Sequence, residues 1–132
     1  MIALDTNLLV RLLVQDDVAQ ARAVERLFIR ARRDRTPLFI ADVVLCELVW
    51  VLVRRARRSR AEIAGAIERL LETEMVVVPD TDIARRALAS YRDGSGDFAD
   101  YLIREHAFAA GAATVVTFDR AVKGEPGFRI LG

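Results

Sequence analysis

Several residue types are scarce in this sequence, and each scarcity argues against a class of protein. The 132 residues include one cysteine, Cys46, which rules out an internal disulfide and predicts a cytosolic protein. No apolar run approaches the roughly 20 residues that a membrane-spanning helix needs, so we expect no membrane association. The N-terminus lacks the basic region and cleavage site of a signal peptide, and we expect none.

Histidine is equally rare, which limits the candidates for nucleophilic or acid–base catalysis. The one histidine, His106, lies among apolar neighbours in a predicted helix, and we interpret it as a surface or partly buried residue. Cys46 lies in a different apolar helical run, and we interpret it as a buried structural thiol. Neither residue is predicted to do chemistry.

Lysine is the third scarce residue type. Lys123 is the only lysine among the 20 basic residues, and the others are arginines. The planar guanidinium of arginine suits phosphate recognition, although a biased base composition of the genome would produce the same excess. The basic and acidic residues nearly balance, at 20 and 19, and 53% of the chain is hydrophobic. These values predict a soluble globular protein with a single domain over residues 1–132.

Short apolar stretches alternate with segments of helical periodicity along the chain. Strands and helices that alternate over short connections favour an α/β fold with a parallel sheet and right-handed crossovers. The predicted strands are 2–4, 38–41, 75–78, 114–118 and 128–131. The predicted helices are 8–14, 18 to about 30, 43–53, 61–73, 81 to about 91, and 97–111.

Two acids in the first half of the chain need an explanation. Asp5 ends the first strand, which we predict to be buried on both faces, at the edge where open α/β sheets bind ligands. Asp5 could instead simply cap the next helix, for which Thr6 and Asn7 are also capping types. Glu47 is the only charge in an apolar helix that we predict to be buried, where a carboxylate needs a cation or an arginine partner. Asp42 is predicted to cap that helix.

Three more acids lie in the second half of the chain. Asp97 and Asp100 are three residues apart, so they share one face of the first turn of their helix. One of them can cap the helix, but two, with no basic residue before Arg104, exceed what capping needs. Asp119 follows the fourth strand directly. Because helices run antiparallel to the strands of such a sheet, all five acids should face one edge.

A cluster of four or five carboxylates requires counter-charge, and a hard divalent cation, Mg²⁺ or Mn²⁺, is the natural partner. Such a site can activate water and stabilise in-line displacement at phosphorus, while arginines hold the substrate backbone. Without metal the acids repel one another, so we expect a raised pKa for at least one of them, and Glu47 in its apolar helix is the acid we favour. The pattern therefore predicts phosphodiester hydrolysis.

The motifs together resemble the PIN domain, most closely that of the VapC-type toxins of bacterial toxin–antitoxin pairs. The resemblance covers essentially the whole chain. It implies a three-layer α/β/α sandwich around a mainly parallel sheet, and a Mg²⁺- or Mn²⁺-dependent ribonuclease that is dimeric and inhibited by a small antitoxin. The residues that carry it are Asp5-Thr-Asn7, Glu47 in its apolar helix, Asp97-x-x-Asp100 leading into Ala107 and Gly111, and Thr117-Phe-Asp119.

The resemblance also implies roles for individual residues. Asp5 and Asp100 match metal ligands, and Asp100 opens the family pattern that Ile103 and Ala107 continue. The catalytic acids would be Asp5, Glu47, Asp97, Asp100 and Asp119, supported by Thr6, Asn7 and Thr117. One departure is Phe118, where the family commonly has an arginine.

Other functions fit the sequence less well. A receiver domain would need a lysine after its last strand, where Lys123 is poorly placed, and a haloacid-dehalogenase phosphatase would need an aspartate at the position of Asn7. The remaining alternative is a non-toxin PIN nuclease, or an RNA-binding module of RNA processing. We favour solvated helix ends over RNA contacts for the basic runs 30–35 and 54–60. The helices 43–53 and 61–73 carry enough apolar surface to predict homodimerisation or binding of an antitoxin helix.

Overall fold

The computed structural model describes all residues, Met1–Gly132. They form two compact units, Met1–Thr81 and Asp82–Gly132. None of the helices combines the length and apolarity that crossing a membrane requires. In chain order the elements are β1 (Ile2–Ala3), α1 (Thr6–Val14), α2 (Val18–Asp34), β2 (Leu38–Phe39), α3 (Asp42–Arg54), α4 (Arg60–Glu72), β3 (Val76–Val77), α5 (Thr81–Asp93), α6 (Phe98–Ala109), β4 (Val115–Thr117), a 3-10 helix (Arg120–Val122) and β5 (Phe128–Ile130).

The first unit is a three-stranded parallel sheet with helical connections. The strand order is β1-β2-β3, and Leu38 pairs with Ile2 on one side and Val76 on the other. Parallel neighbours require a crossover, which α1 and α2 supply between β1 and β2, and α3 and α4 supply between β2 and β3. α1 packs against α2 and α3, and α3 packs against α4. Leu9, Leu38, Leu45, Leu52 and Ile67 are fully buried in this unit.

The helix starts of the first unit follow local capping rules, with one correction. Ser59 and Glu62 form the expected capping box at the start of α4. The prediction that Asp42 caps α3 is wrong, because Ala41 is the N-cap and Asp42 lies in the first helical turn. A carboxylate in that turn still interacts favourably with the helix dipole.

Two predictions of burial in the first unit are also wrong. Ile2 and Ala3 of β1 are exposed, and of the predicted strand 2–4 only Leu4, which follows β1, is buried. α3 is not buried all round either, since Val43, Trp50 and Val53 remain 62%, 55% and 43% exposed. Its Leu45, Leu48 and Leu52 side supplies the core, and the opposite side faces solvent.

The second unit combines α5 and α6 with the parallel pair β4 and β5. Val115 pairs with Phe128 and Thr117 with Ile130. The rings of Tyr91 and Phe98 meet edge to face with centroids 6.2 Å apart. Both units thus pair parallel strands with helices, and the predicted α/β class is confirmed.

Candidate metal centre

Three of the predicted acids come together in the second unit. Asp97, Asp100 and Asp119 each offer a carboxylate oxygen, and these oxygens all lie within 4.8 Å of one another. Asp97 and Asp119 are exposed, whereas Asp100 is half-buried. Mg²⁺ binds its oxygen ligands at about 2.1 Å, so two ligands of one ion lie at most about 4.2 Å apart. Small side-chain shifts would therefore bring the three carboxylates to the distances that one ion requires. The donor set consists of oxygens only, which suits a hard divalent cation.

Asp97 and Asp100 are placed by the start of α6. Asp97 is the N-cap residue, and its N–H donates to Oδ2 of Asp100 at 3.0 Å. The N–H of Asp100 donates to the carbonyl oxygen of Asp97, also at 3.0 Å. Both acids therefore form hydrogen bonds at the start of α6, whereas from the sequence we expected this of only one. The bond to Oδ2 still leaves acceptor capacity on the Asp100 carboxylate.

Asp119 reaches the same place from a distant part of the chain. It follows β4 after Phe118 and caps the 3-10 helix, where its Oδ1 accepts the N–H of Ala121 at 2.9 Å. The N–H of Asp119 donates to Oγ1 of Thr117 at 3.0 Å. Thr117 thus fixes the backbone of Asp119, which is the kind of contact that a supporting residue would make.

The pKa of Asp100 is raised above its ordinary value of 3.8. Burial is the largest cause, and the negative charges of Asp119, Asp97 and Glu125 add to it, while the hydrogen bond from the Asp97 backbone opposes it. The expected repulsion within the cluster is therefore present at Asp100. A cation bound between these acids would offset that repulsion.

The other two predicted acids lie in the first unit. Asp5 is exposed at the end of β1 and caps α1, accepting the N–H of Thr6 at 2.7 Å. Thr6 is buried and its Oγ1 has no hydrogen-bond partner, and Asn7 is exposed. Glu47 is exposed on α3, so its predicted burial is wrong. An exposed carboxylate needs no partner to remain charged, so burial gives no reason to assign Glu47 a function.

Cys46 is half-buried, which is less than we predicted, and neither it nor His106 belongs to the acid cluster. Burial, together with the smaller effect of the negative charges of Asp42 and Glu47, raises the pKa of the Cys46 thiol to about 11. The thiol is therefore protonated at neutral pH, which argues against a nucleophile. His106 is exposed near the end of α6.

Sequence reasoning missed a polar network beside the acids. Tyr101, which is fully buried, donates its hydroxyl hydrogen to Glu125. Arg104 is also buried, with Nη2 2.6 Å from Oγ of Ser90 and Nη1 3.1 Å from the carbonyl oxygen of Pro126. The position of Tyr101 next to Asp100 was the one sign of this network in the sequence. Its partner Glu125 lies 24 residues away and could not be inferred from spacing.

Comparison with known proteins adds two findings. The sequence profile of the PIN domain family matches residues 2–124. A VapC ribonuclease from Aquifex aeolicus (strain VF5) is 28% identical over 120 residues, which cover 91% of this chain and 88% of that protein.

Proposed function

The chain belongs to the PIN domain family, and from this premise we propose that it is a metal-dependent endoribonuclease that hydrolyses RNA phosphodiester bonds. The observation that carries the proposal is the cluster of Asp97, Asp100 and Asp119. The similarity to a VapC ribonuclease over most of both chains supports RNA as the substrate and a role as the toxin of a toxin–antitoxin pair. Mg²⁺ or Mn²⁺ is the proposed cofactor.

The proposal assigns chemistry to five acids within one domain spanning residues 1–132. Asp5 and Asp100 are the proposed metal ligands, and Thr6, Asn7 and Thr117 support the catalytic groups. A bound divalent cation supplies positive charge that polarises water and offsets the charge developing on the phosphate. The chain's own residues orient the catalytic acids, as Thr117 does for Asp119 through its hydrogen bond to the Asp119 N–H. The five proposed catalytic acids are Asp5, Glu47, Asp97, Asp100 and Asp119.

Partner binding is proposed on the exposed side of α3. Val43, Trp50 and Val53 are large apolar side chains with substantial exposure on one helix. Association with a second copy of the chain, or with a helix of a small antitoxin, would remove this surface from water. α4 contributes little to it, because Ile63, Ile67 and Leu70 are already buried.

Cleavage of RNA by the purified chain tests the proposed activity. We expect cleavage in millimolar Mg²⁺ or Mn²⁺, none in EDTA, and a loss of at least about 100-fold in Asp100→Asn. The fold of the variant is checked by circular dichroism. Cleavage that survives both EDTA and Asp100→Asn would contradict the proposal, and RNA binding without cleavage would favour an RNA-binding module.

Expression in cells tests the toxin role separately. The gene is induced with and without the neighbouring small reading frame, and growth and RNA integrity are followed. A toxin arrests growth alone and is neutralised when the neighbour is present. Cleavage in vitro without growth arrest would instead favour a PIN nuclease of RNA processing.

A further inference from the structure

The hydroxyl of Tyr101 contacts two segments that each connect to an acid of the metal cluster. Tyr101 follows Asp100 on α6 and is fully buried. Its oxygen accepts the N–H of Gly96 at 2.9 Å and lies 2.7 and 2.8 Å from the two carboxylate oxygens of Glu125, to which it donates. Gly96 immediately precedes Asp97 in the chain. One side chain therefore links the loop before α6 to the segment containing Glu125.

Glu125 ends the turn that follows Asp119. Its N–H donates to the carbonyl oxygen of Val122, the fully buried last residue of the 3-10 helix, at 3.1 Å. Its carboxylate also lies 3.4 Å from the N–H of Ser95. The chain that leads away from Asp119 is thereby held against the loop that leads into α6.

The loop approaches the Tyr101 hydroxyl too closely for side chains. A Cβ at Gly94 would collide with that hydroxyl and would lie 2.6 Å from Oε1 of Glu125. A Cβ at Gly96 would collide with Cγ1 of Val122 and would lie 3.2 Å from the Tyr101 oxygen. Gly94 and Gly96 are therefore needed because no larger residue fits beside Tyr101 and its neighbours. This is a more specific reason than the general preference of loops for glycine.

We propose that Tyr101 and Glu125 are positioning residues, whose hydrogen bond holds Asp97 and Asp119 at the separation needed to bind a divalent cation. The inference rests on the proposed function, and it assigns no ligand role to either residue. Asp97 is placed through Gly96, and Asp119 through the 3-10 helix and its turn. Groups that orient metal ligands without touching the metal typically contribute about 10–100-fold to affinity or activity.

Calorimetric titration of the intact chain with Mn²⁺ tests the role of the hydroxyl. Tyr101→Phe keeps the buried ring and removes the hydrogen bonds, and we expect a loss of about tenfold or more in Mn²⁺ affinity. Tyr91→Phe is the matched control, since Tyr91 is also buried in this unit, at 2% exposure, and we expect wild-type affinity. Wild-type affinity in Tyr101→Phe, or an equal loss in Tyr91→Phe, would overturn the proposal.

Variants at Glu125 separate positioning from direct metal binding. Glu125→Gln keeps an oxygen that accepts from Tyr101 but removes the charge, so we expect it to retain most of the Mn²⁺ affinity. Glu125→Ala should lose as much affinity as Tyr101→Phe. If Glu125→Gln loses as much as Asp100→Asn, Glu125 is itself a ligand and the positioning role is overturned.

Amide hydrogen exchange without metal tests the linkage independently of RNA cleavage. The amides of Gly96 and Ala121 report on the two segments, because they donate to Tyr101 and Asp119. Both should exchange faster in Tyr101→Phe than in Tyr91→Phe. Unchanged exchange at Ala121 would overturn positioning and leave the proposed function standing, whereas a wild-type chain that binds no Mn²⁺ and cleaves no RNA would overturn both.

Discussion

The starts of α1 and α6 both carry aspartate, and comparing them distinguishes capping from a candidate site. At α1, Asp5 is the N-cap residue and accepts the N–H of Thr6, the first residue of the helix, at 2.7 Å, which satisfies one of the free N–H groups at the helix start. At α6, Asp97 and Asp100 also serve the helix start, but Asp119 joins them from 19 positions beyond Asp100 in the sequence. Asp119 caps the 3-10 helix, but capping does not explain why its carboxylate lies beside the acids at the start of α6. The comparison shows that position at a helix start alone does not establish a metal ligand.

The largest expected effect separates the two explanations of Asp5. Asparagine caps helices about as well as aspartate, so Asp5→Asn should leave stability nearly unchanged while removing the charge. If Asp5 is catalytic, RNA cleavage should fall by at least about 100-fold. Asp17→Asn is the matched control, because Asp17 caps α2 by accepting the N–H of Gln20 at 3.0 Å. Equal cleavage rates in the two variants would show that Asp5 acts only as a cap.

A smaller effect is expected on the stability of the metal-free protein. Because the folded-state pKa of Asp100 is raised above 3.8, the ionised carboxylate destabilises the fold at pH 7. Asp100→Asn in EDTA should therefore be as stable as wild type or more so, by up to about 1 kcal/mol after solvent screening. The stability advantage of Asp100→Asn should shrink as the pH falls from the raised pKa toward 3.8. In this range the folded wild type takes up a proton at Asp100 before the unfolded chain does, which removes the destabilising charge. If Asp100→Asn were less stable than wild type at pH 7, and less stable by the same amount at pH 4, this assignment would be contradicted.

Almost no effect on cleavage is expected from three arginines of the basic run 54–60. Arg54 lies over the ring of Trp50, with 5.7 Å between its Cζ and the ring centroid, and Arg55 and Arg57 are exposed. Replacing these three arginines with glutamine should leave cleavage and its salt dependence nearly unchanged. A shallower salt slope with weaker RNA binding would show that they contact phosphates.

Arg58 must be tested separately from its neighbours. Its side chain donates to the carbonyl oxygen of Leu13 at 2.9 Å. Our prediction that the arginines of the run 54–60 are only solvated is therefore wrong for Arg58. Arg58→Gln should destabilise the fold by about 1–2 kcal/mol in denaturant titrations, because a charged hydrogen bond is lost. Unaltered stability would show that this bond contributes nothing in solution.

Features with local causes could be predicted from the sequence. The capping box of Ser59 and Glu62 depends on two side chains three residues apart, and it is present. The shared face of Asp97 and Asp100 follows from helical periodicity, and Asp119 was placed with them because strand ends and helix starts meet at one sheet edge. These inferences needed only spacing and element order.

Features that depend on distant packing could not be predicted. The apolar composition of α3 does not reveal which side is covered, so the exposure of Glu47 was missed. The hydrogen bond between Tyr101 and Glu125 joins residues 24 positions apart, and no periodicity connects them. The raised pKa of Asp100 likewise depends mainly on its burial, which is a tertiary property.

Thermal melts with and without metal test most directly whether the acids form a cation site. Wild type and Asp100→Asn are melted in EDTA and in millimolar Mn²⁺. A cation that binds only the folded site stabilises it by RT ln(1 + [L]/Kd), about 2.7 kcal/mol when the free concentration is 100 times Kd. The account predicts a clear rise in the wild-type Tm with Mn²⁺ and little or none in the variant. A wild-type Tm that does not respond to Mn²⁺, or equal rises in both proteins, would contradict it.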